Sequence, residues 1–560
     1  MTDDPRRQDT TVGAGIDFSD PNSKLAPFYI TTTSVIFAGV LALIVAFYSH
    51  QPLHYTDVWA HLKHGDDIVR GRGFLLYGSP DGFTDPDTPR PASYWLSQVA
   101  YSGAFRLGEK LAGGQLAGGA ELLRQLHTVA VAAFFALLWV GYRRSTGSGS
   151  LALLGLFLAL AAALGTVGVH RPQLFALVGF AGILAILANE RMSWKGVAGI
   201  VGLLVLWANL HGSFPVGLAL LAIHTVGRAW DLGIVNALRD ARCKRLIVAG
   251  VLAAGAITVA NPMVESIWGN TLAFARNPNL RSMQEWQPLN FSELQGLPWF
   301  YWASFAVLAI AQALSPRPFS ATEVLLTLVF GILPLFQERF MAWWMPIAIG
   351  ILLAHLNAWA DQRGWIWPKS LPTFRKTLLA AALVVFGCIL TPLTGWIESE
   401  HPAELAKILH PATPVGFAEA RANDPCPPRF ESLRKYLDER NVFGPVFCTE
   451  TLGEFLDWKD EPVMLFAHAH LFAPEYWEAA MQAKSGRPGW QDFFSRYGVN
   501  IVAMEAYLPN GQPQPLVEEM EKSGEWVFVV DERKRTEIRD PKSRLLVAVR
   551  KKPLLREGLR

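Results

Sequence analysis

Apolar runs of helix length recur from Phe28 to Trp396 and then stop. A membrane helix needs about 20 mostly apolar residues, and eleven stretches approach that length. They run Phe28 to Tyr48, Leu126 to Tyr142, Ser150 to Val169, Pro172 to Ala188, Gly196 to Trp207, Phe214 to Trp230, Leu246 to Ala260, Pro298 to Leu314, Glu323 to Phe336, Met341 to Trp359 and Leu378 to Trp396. From Ile397 onward the pattern changes to the charged and apolar alternation of a soluble α/β unit. Helices are expected there at Arg429 to Arg440, Pro474 to Lys484, Gly489 to Tyr497 and Leu516 to Ser523, and strands at Val446 to Thr449, Val463 to Phe466, Asn500 to Glu505, Trp526 to Val530 and Leu545 to Arg550. The expected architecture is an α-helical polytopic membrane domain, 28–396, with a large first outer loop, 51–125, followed by a C-terminal α/β domain, 397–560.

Residues 1–27 are polar and acidic, which predicts a disordered segment. That segment is too acidic for the basic start of a signal peptide, so Phe28 to Tyr48 is expected to stay as an anchor. Inside the first loop, "VWAHLKHGDDIV" and "SYWLSQVAYSGAFRLGEKL" carry apolar residues at helical spacing with aromatic edges, as helices lying along a membrane interface do. The turn-rich "GFLLYGSPDGFTDPDTPRP" between them could form a strap over a site, and "AGGQLAGGA" a hinge or close-packing element.

Composition changes this picture little. A chain of 560 residues that is 51% hydrophobic is too apolar for a soluble protein. A formal net charge of +2, without basic and aromatic interleaving, gives no reason to expect nucleic acid. The four cysteines form no CxxC pair and no cluster of zinc spacing. Export of the C-terminal domain would permit a Cys426–Cys448 disulfide.

Basic residues sort the connections into two sets. With the N-terminus cytoplasmic, "YRRSTGSGS", "NERMSWK", "DLGIVNALRDARCKR", "SPRP" and "DQRGWIWPKSLPTFRK" all fall inside. The other side then receives Asp57, His61, His170, Arg171, Asn209, His211, Asn261, Glu285, Trp286, Glu338 and Arg339, with the C-terminal domain. So many polar residues at one depth suggest the rim of a shared cavity.

Asp57, His61 and His64 stand at i, i+4 and i+7, one face of a helix. Asp57 reads either as a general base or metal ligand or as a helix N-cap. Asp66 and Asp67 are fallback carboxylates. Arg171 and Arg339, each in a tight connection, offer the planar fork that suits a phosphate, although lipid headgroups would also attract them. Asn209 and His211 read equally as a structural turn or a substrate contact. Glu285 beside Trp286 is a common sugar-binding combination and a common interfacial anchor.

"DVWAHLKHG", "YWLSQ", "LWANLHGSF", "EWQP" and "ERF" before "MPIA", in that order, resemble the GT-C superfamily of membrane glycosyltransferases. "GPVFCTETLGEFLDW" and "FFSRYGVNIVAME" resemble the corresponding C-terminal stretches. The resemblance implies a bacterial inner-membrane enzyme with a site on the non-cytoplasmic face. Such an enzyme passes a sugar from a polyprenyl-phosphate-linked donor to a glycan, lipid or protein acceptor.

Under that resemblance Asp57 is the catalytic acidic residue, while His61, His170, Arg171, Asn209, His211, Glu285, Trp286, Glu338 and Arg339 are substrate-binding candidates. A divalent metal stays possible, although a lone Asp57 stands where an adjacent acidic pair is usual. A role for "LFAHAH" cannot be carried over. Two other classes fit the residues: a transporter or flippase of lipid-linked or polar solutes, and a noncatalytic membrane assembly protein.

Overall fold

All eleven apolar runs fold as helices, most of them extending past the apolar core into their polar flanks. The structure is a computed structural model that describes residues 24–51, 53, 57–74, 83, 94–114, 116–290, 297–394, 428–439, 442, 444–508, 511–533 and 544–554. Residues 1–23, most of the strap, Cys426 and the 396/397 domain boundary lie outside the described residues.

The apolar runs become α1 (Thr32–Ser49), α4 (Leu116–Thr146), α5 (Gly149–Val167), α6 (Gln173–Leu187), α7 (Trp194–Leu210), α8 (Phe214–Leu232), α10 (Ala241–Ala260), α12 (Leu297–Leu314), α13 (Ala321–Ile332), α14 (Met341–Gln362) and α15 (Phe374–Ile389). The first loop supplies α2 (Val58–Val69) and α3 (Trp95–Leu111). Short helices α9 (Ile234–Ala237) and α11 (Ser266–Arg276) lie beside α10 in sequence. Among the described residues four stretches, Thr32–Ser49, Gly118–Thr146, Ala241–Ala260 and Glu338–Gln362, are long and apolar enough to cross a membrane; several other apolar helices are shorter.

Capping differs among the helices of this bundle. Helices α1, α5, α7 and α10 start under their own Thr31, Ser148, Ser193 and Asp240 caps, and α13 has a full Ser320/Glu323 capping box. Helices α2, α6, α8 and α14, which begin near the candidate site, have no side-chain cap from their N-cap residue. Aromatic side chains fill the bundle core, with Trp207 stacked on Trp343 at 5.5 Å and Phe180 edge-on to Trp343 at 5.1 Å.

The C-terminal unit contains α16 (Pro428–Glu439), β1 (Val446–Cys448), α17 (Glu450–Trp458), α18 (Pro474–Lys484), α19 (Trp490–Tyr497), β2 (Ile501–Glu505), α20 (Pro515–Ser523), β3 (Trp526–Asp531) and β4 (Leu545–Arg550). Its sheet has the order β1-β2-β4-β3. Strand β1 is parallel to β2, with Val446 opposite Ile501, and β4 is antiparallel to both β2 and β3.

Two sequence expectations change here. Val463 to Phe466 is not a strand, contributing only an isolated bridge from Val463 to Val446. The stretch Glu450–Trp458, for which no element was expected, is helix α17. Its glycine explains how α17 reaches the chain beside it, since a Cβ on Gly453 would overlap the Leu465 carbonyl oxygen.

The first loop is also more deeply packed than an interfacial helix pair would be. Trp59 of α2 lies against Phe455 and Trp458 of α17 at ring separations of 5.3 and 4.8 Å, and against Phe105 of α3 at 6.4 Å. Leu62, Tyr101 and Phe105 thereby join the core of the C-terminal domain. Gly65 lets α2 approach α3, because a Cβ there would overlap the Gln98 carbonyl oxygen. Loop and C-terminal domain form one apolar unit seated on the bundle.

Candidate active site

Asp57 occupies the N-cap position of α2 and yet does not cap it. The N3 amide, Ala60 N–H, donates instead to Glu454 Oε2 of α17 at 3.1 Å. That leaves the Asp57 carboxylate at the wall of a cavity of about 750 Å³. Its Oδ1 lies 3.4 Å from Arg171 Nε and its Oδ2 lies 3.5 Å from His61 Nε2. Oδ1 is buried and accepts no hydrogen bond among the described residues. A desolvated acceptor without a donor is costly, and the nearby Arg171 guanidinium offsets that cost by its charge.

Burial favours the neutral form of Asp57, but the Arg171 guanidinium opposes it, helped by the nearby His61 and by His468. Together they hold the carboxyl well below the usual range. Asp57 is therefore ionised at neutral pH.

Arg171 precedes α6 and pairs through Nη1 with Glu285 Oε2. Arg339, just before α14, stands 3.9 Å from Glu285 Oε1 and lays its guanidinium 4.4 Å from the centre of the Trp286 ring. Glu285 and Trp286 reach this position on a short helical turn, Gln284–Trp286. The following residue fixes that turn, its Gln287 carbonyl accepting from the Glu338 amide at 2.9 Å. Two guanidinium groups thus flank one carboxylate beside Asp57.

His211 closes the α7–α8 side. Its Nδ1 accepts from the Ser213 amide at 3.2 Å and lies 2.7 Å from the Ser213 hydroxyl. Burial, with Arg339 and His61 adding to it, pushes the imidazole down to about 3, so the neutral ring carries its proton on Nε2.

A second cavity of about 360 Å³ adjoins the first and shares Arg171, Glu285 and Arg339 with it. Helices α5, α6, α12 and α14 supply its apolar lining, including Ala161, Leu174, Leu177, Phe300 and Met341. Glu338 lines this second cavity and not the first.

The sequence candidates separate accordingly. Asp57, His61, Arg171, His211, Glu285, Trp286 and Arg339 surround one space. His170 does not line it: the ring is buried and stacked on His127 at 4.0 Å. Asn209 is also behind the wall, where Oδ1 accepts from Trp95 Nε1 at 2.7 Å and from Asn261 Nδ2 at 3.1 Å. Its Nδ2 donates to the Val205 carbonyl at 2.8 Å. Those bonds pin α3, α7 and α10 together. Asp66 and Asp67 are engaged elsewhere, by Arg106 and Arg72.

Sequence reasoning missed other contributors to this wall, among them Tyr94, His468 and His470. The alternating "HAH" was visible, but nothing in the spacing said that it would face Asp57. His468 Nδ1 sits 3.0 Å from Glu454 Oε1. Burial disfavours its charge, but Glu454, through charge and a hydrogen bond, and then Asp57 and Asp457 raise the imidazole above its ordinary value.

The immediate neighbours of Asp57 are a guanidinium and an imidazole, and among the described residues no group of three or more His, Cys, Asp or Glu side chains could hold a metal ion.

No family model and no curated protein sequence matches the chain. Solved structures do. The archaeal oligosaccharyltransferase AglB from Archaeoglobus fulgidus, in complex with an inhibitory peptide and a dolichol-phosphate, is 11% identical, with a TM-score of 0.49 over 86% of this chain and 70% of that one. ArnT from Cupriavidus metallidurans, bound to undecaprenyl phosphate, is 14% identical, with a TM-score of 0.45 over 92% and 97%. The mycobacterial arabinofuranosyltransferase AftD is 15% identical, with a TM-score of 0.48 over 93% of this chain and 42% of that one.

Proposed function

We propose that this protein is a membrane glycosyltransferase that moves a sugar from a polyprenyl-phosphate-linked donor to an acceptor on the non-cytoplasmic side. In this reading the eleven apolar helices cross the bacterial inner membrane, the N-terminus is cytoplasmic and the C-terminal domain is exported. The observation that carries the proposal is the placement of Arg171 and Arg339 at the boundary of two cavities, with the ionised Asp57 3.4 Å from Arg171. A lipid donor leaves the bilayer only at about 0.8 kcal/mol per buried CH₂, so the site must meet it at the membrane. The second cavity, with Leu174, Leu177, Phe300 and Met341 in its wall, suits the donor's first isoprene units, and the larger one, which Asp57 lines, suits sugar and acceptor.

Transfer needs a group to take the acceptor hydroxyl's proton and cations to receive the charge growing on the departing phosphate. Asp57 supplies the first, and the two arginines supply the second. While Arg171 neutralises it, Asp57 is a weak base. As Arg171 turns to the donor phosphate, that restraint relaxes and the carboxylate gains proton affinity at the moment of transfer.

Replacing Asp57 by Asn preserves its shape and removes its charge. In purified protein supplied with polyprenyl-phosphate sugars, D57N is expected to lose about 10² to 10⁴ of the transfer rate while still binding polyprenyl phosphate. A folded D57N that transfers at the parent rate would refute the assignment.

A further inference from the structure

Both oxygens of Glu454 are committed, and to different parts of the site. Oε2 accepts the Ala60 amide and Oε1 faces the His468 ring. The side chain is fully buried where α17 meets α2. A few residues further on, Lys63 Nζ donates to the Asp457 carbonyl at 2.7 Å and to Asp457 Oδ1 at 2.9 Å, while Trp59 packs between Phe455 and Trp458. The register of α17 on α2 is thus fixed by two polar ties and one aromatic cluster.

An aspartate at an N-cap ordinarily turns its carboxylate back on the N2 or N3 amide of its own helix. Here that amide is already taken. We propose that Glu454, a residue of the C-terminal domain, is a positioning residue for catalysis: it caps α2 in place of Asp57, so that the Asp57 carboxylate is left facing the cavity and Arg171. The idea builds on the assignment of Asp57 as catalytic and adds a requirement for the C-terminal domain. Glu454 touches no substrate and acts through Asp57, with His468 as its second partner on the same wall.

Removal of Glu454 offers Asp57 a competing partner. In E454A the Ala60 amide is free; Asp57, whose ψ is 15° with Glu454 in place, turns to the extended backbone of an ordinary N-cap and bonds that amide, which costs the cavity its carboxylate. In E454Q the amide oxygen of the new side chain still accepts from Ala60, so Asp57 stays in place. The conservative variant therefore rescues what the truncation loses.

The test uses the full chain in detergent or nanodiscs and measures transfer kinetics, polyprenyl-phosphate binding and thermal stability for E454A, E454Q, D57N and the D57N/E454A pair. E454A is expected to lower kcat at least about thirtyfold, with polyprenyl-phosphate affinity within about threefold of the parent. E454Q is expected to keep most of kcat. In the D57N background, E454A is expected to have no further effect on the residual rate, because its whole action passes through the missing carboxylate.

Three results would overturn the proposal: E454A with parent kcat, E454Q as impaired as E454A, or additive losses in the double variant. If E454A does not fold, E454Q kinetics and experimental structures of the parent and of D57N decide. A position-57 side chain bonded to Ala60 N–H in either structure, while Glu454 is present, would end the idea. Should D57N itself transfer normally, the catalytic assignment falls and not merely its positioning.

Discussion

Arg339 carries its charge in a plane, and that plane lies over Trp286 at 4.4 Å. Lysine would keep the charge and lose the stack, a contact worth about 0.5 to 1 kcal/mol. R339K is therefore expected to raise the KM for a polyprenyl-phosphate donor about two- to fivefold with a smaller change in kcat, as steady-state kinetics would show.

His64 and His468 act on stability in opposite pH windows. Burial, with His468 and His61 adding to it, holds His64 well below its ordinary value. Its unfolded form takes a proton below a pH of about 6.5 that the folded form refuses, so stability falls as pH drops through that range. His468 is raised, so the stability it contributes is complete below about 6.5 and is lost as pH rises through its higher folded value. Thermal unfolding of H64Q is expected to show a shallower acid-side decline than the parent. A decline of equal slope in both would place the titration elsewhere.

At the scale of elements, α17 is the part on which the site leans. Its Gly453 tolerates no side chain, since a Cβ would overlap the Leu465 carbonyl. G453A is expected to destabilise the C-terminal domain by about 3 to 5 kcal/mol, with transfer activity lost at a lower temperature than in the parent, as paired melting and activity curves would record.

The same element shows what the sequence could and could not reveal. Long apolar runs announce themselves by length, and all eleven fold as helices. The helices Pro474–Lys484 and Trp490–Tyr497 matched their expected bounds closely because proline or glycine opens each one. The stretch "ETLGEFLDW" is short, mixed in charge and lacks a side-chain cap. Its helix is held by Trp59 and Lys63, residues nearly four hundred positions earlier, and local pattern cannot record such a partner. Asn209 and His170 misled for the opposite reason: polar residues at tight turns look alike in sequence whether they bond Trp95 and Asn261 or face a cavity.

Across the whole molecule, the first loop and the C-terminal domain share one core, distinct from that of the bundle. Amide hydrogen exchange is therefore expected to show α2, α3 and α17 opening together, with protection that the bundle helices do not follow. Exchange of α2 independent of α17 would contradict a single unit. This arrangement gives the C-terminal domain a direct part in building the site, since Glu454 bonds the Ala60 amide of the helix that Asp57 opens and His468 lines the same cavity, while Arg171 and Arg339 come from the bundle. The candidate site lies at the seam between the two cores.

The central claim is that a lipid phosphate takes its place between those two arginines, beside Asp57. A structure of the protein bound to a polyprenyl phosphate tests it most directly. The expected result is a phosphate within about 3 Å of both guanidinium groups, its lipid chain in the cavity between α5, α6, α12 and α14, and Glu285 moved off Arg171. A phosphate bound away from Arg171 and Arg339, with the Glu285 bridge intact, would contradict the account.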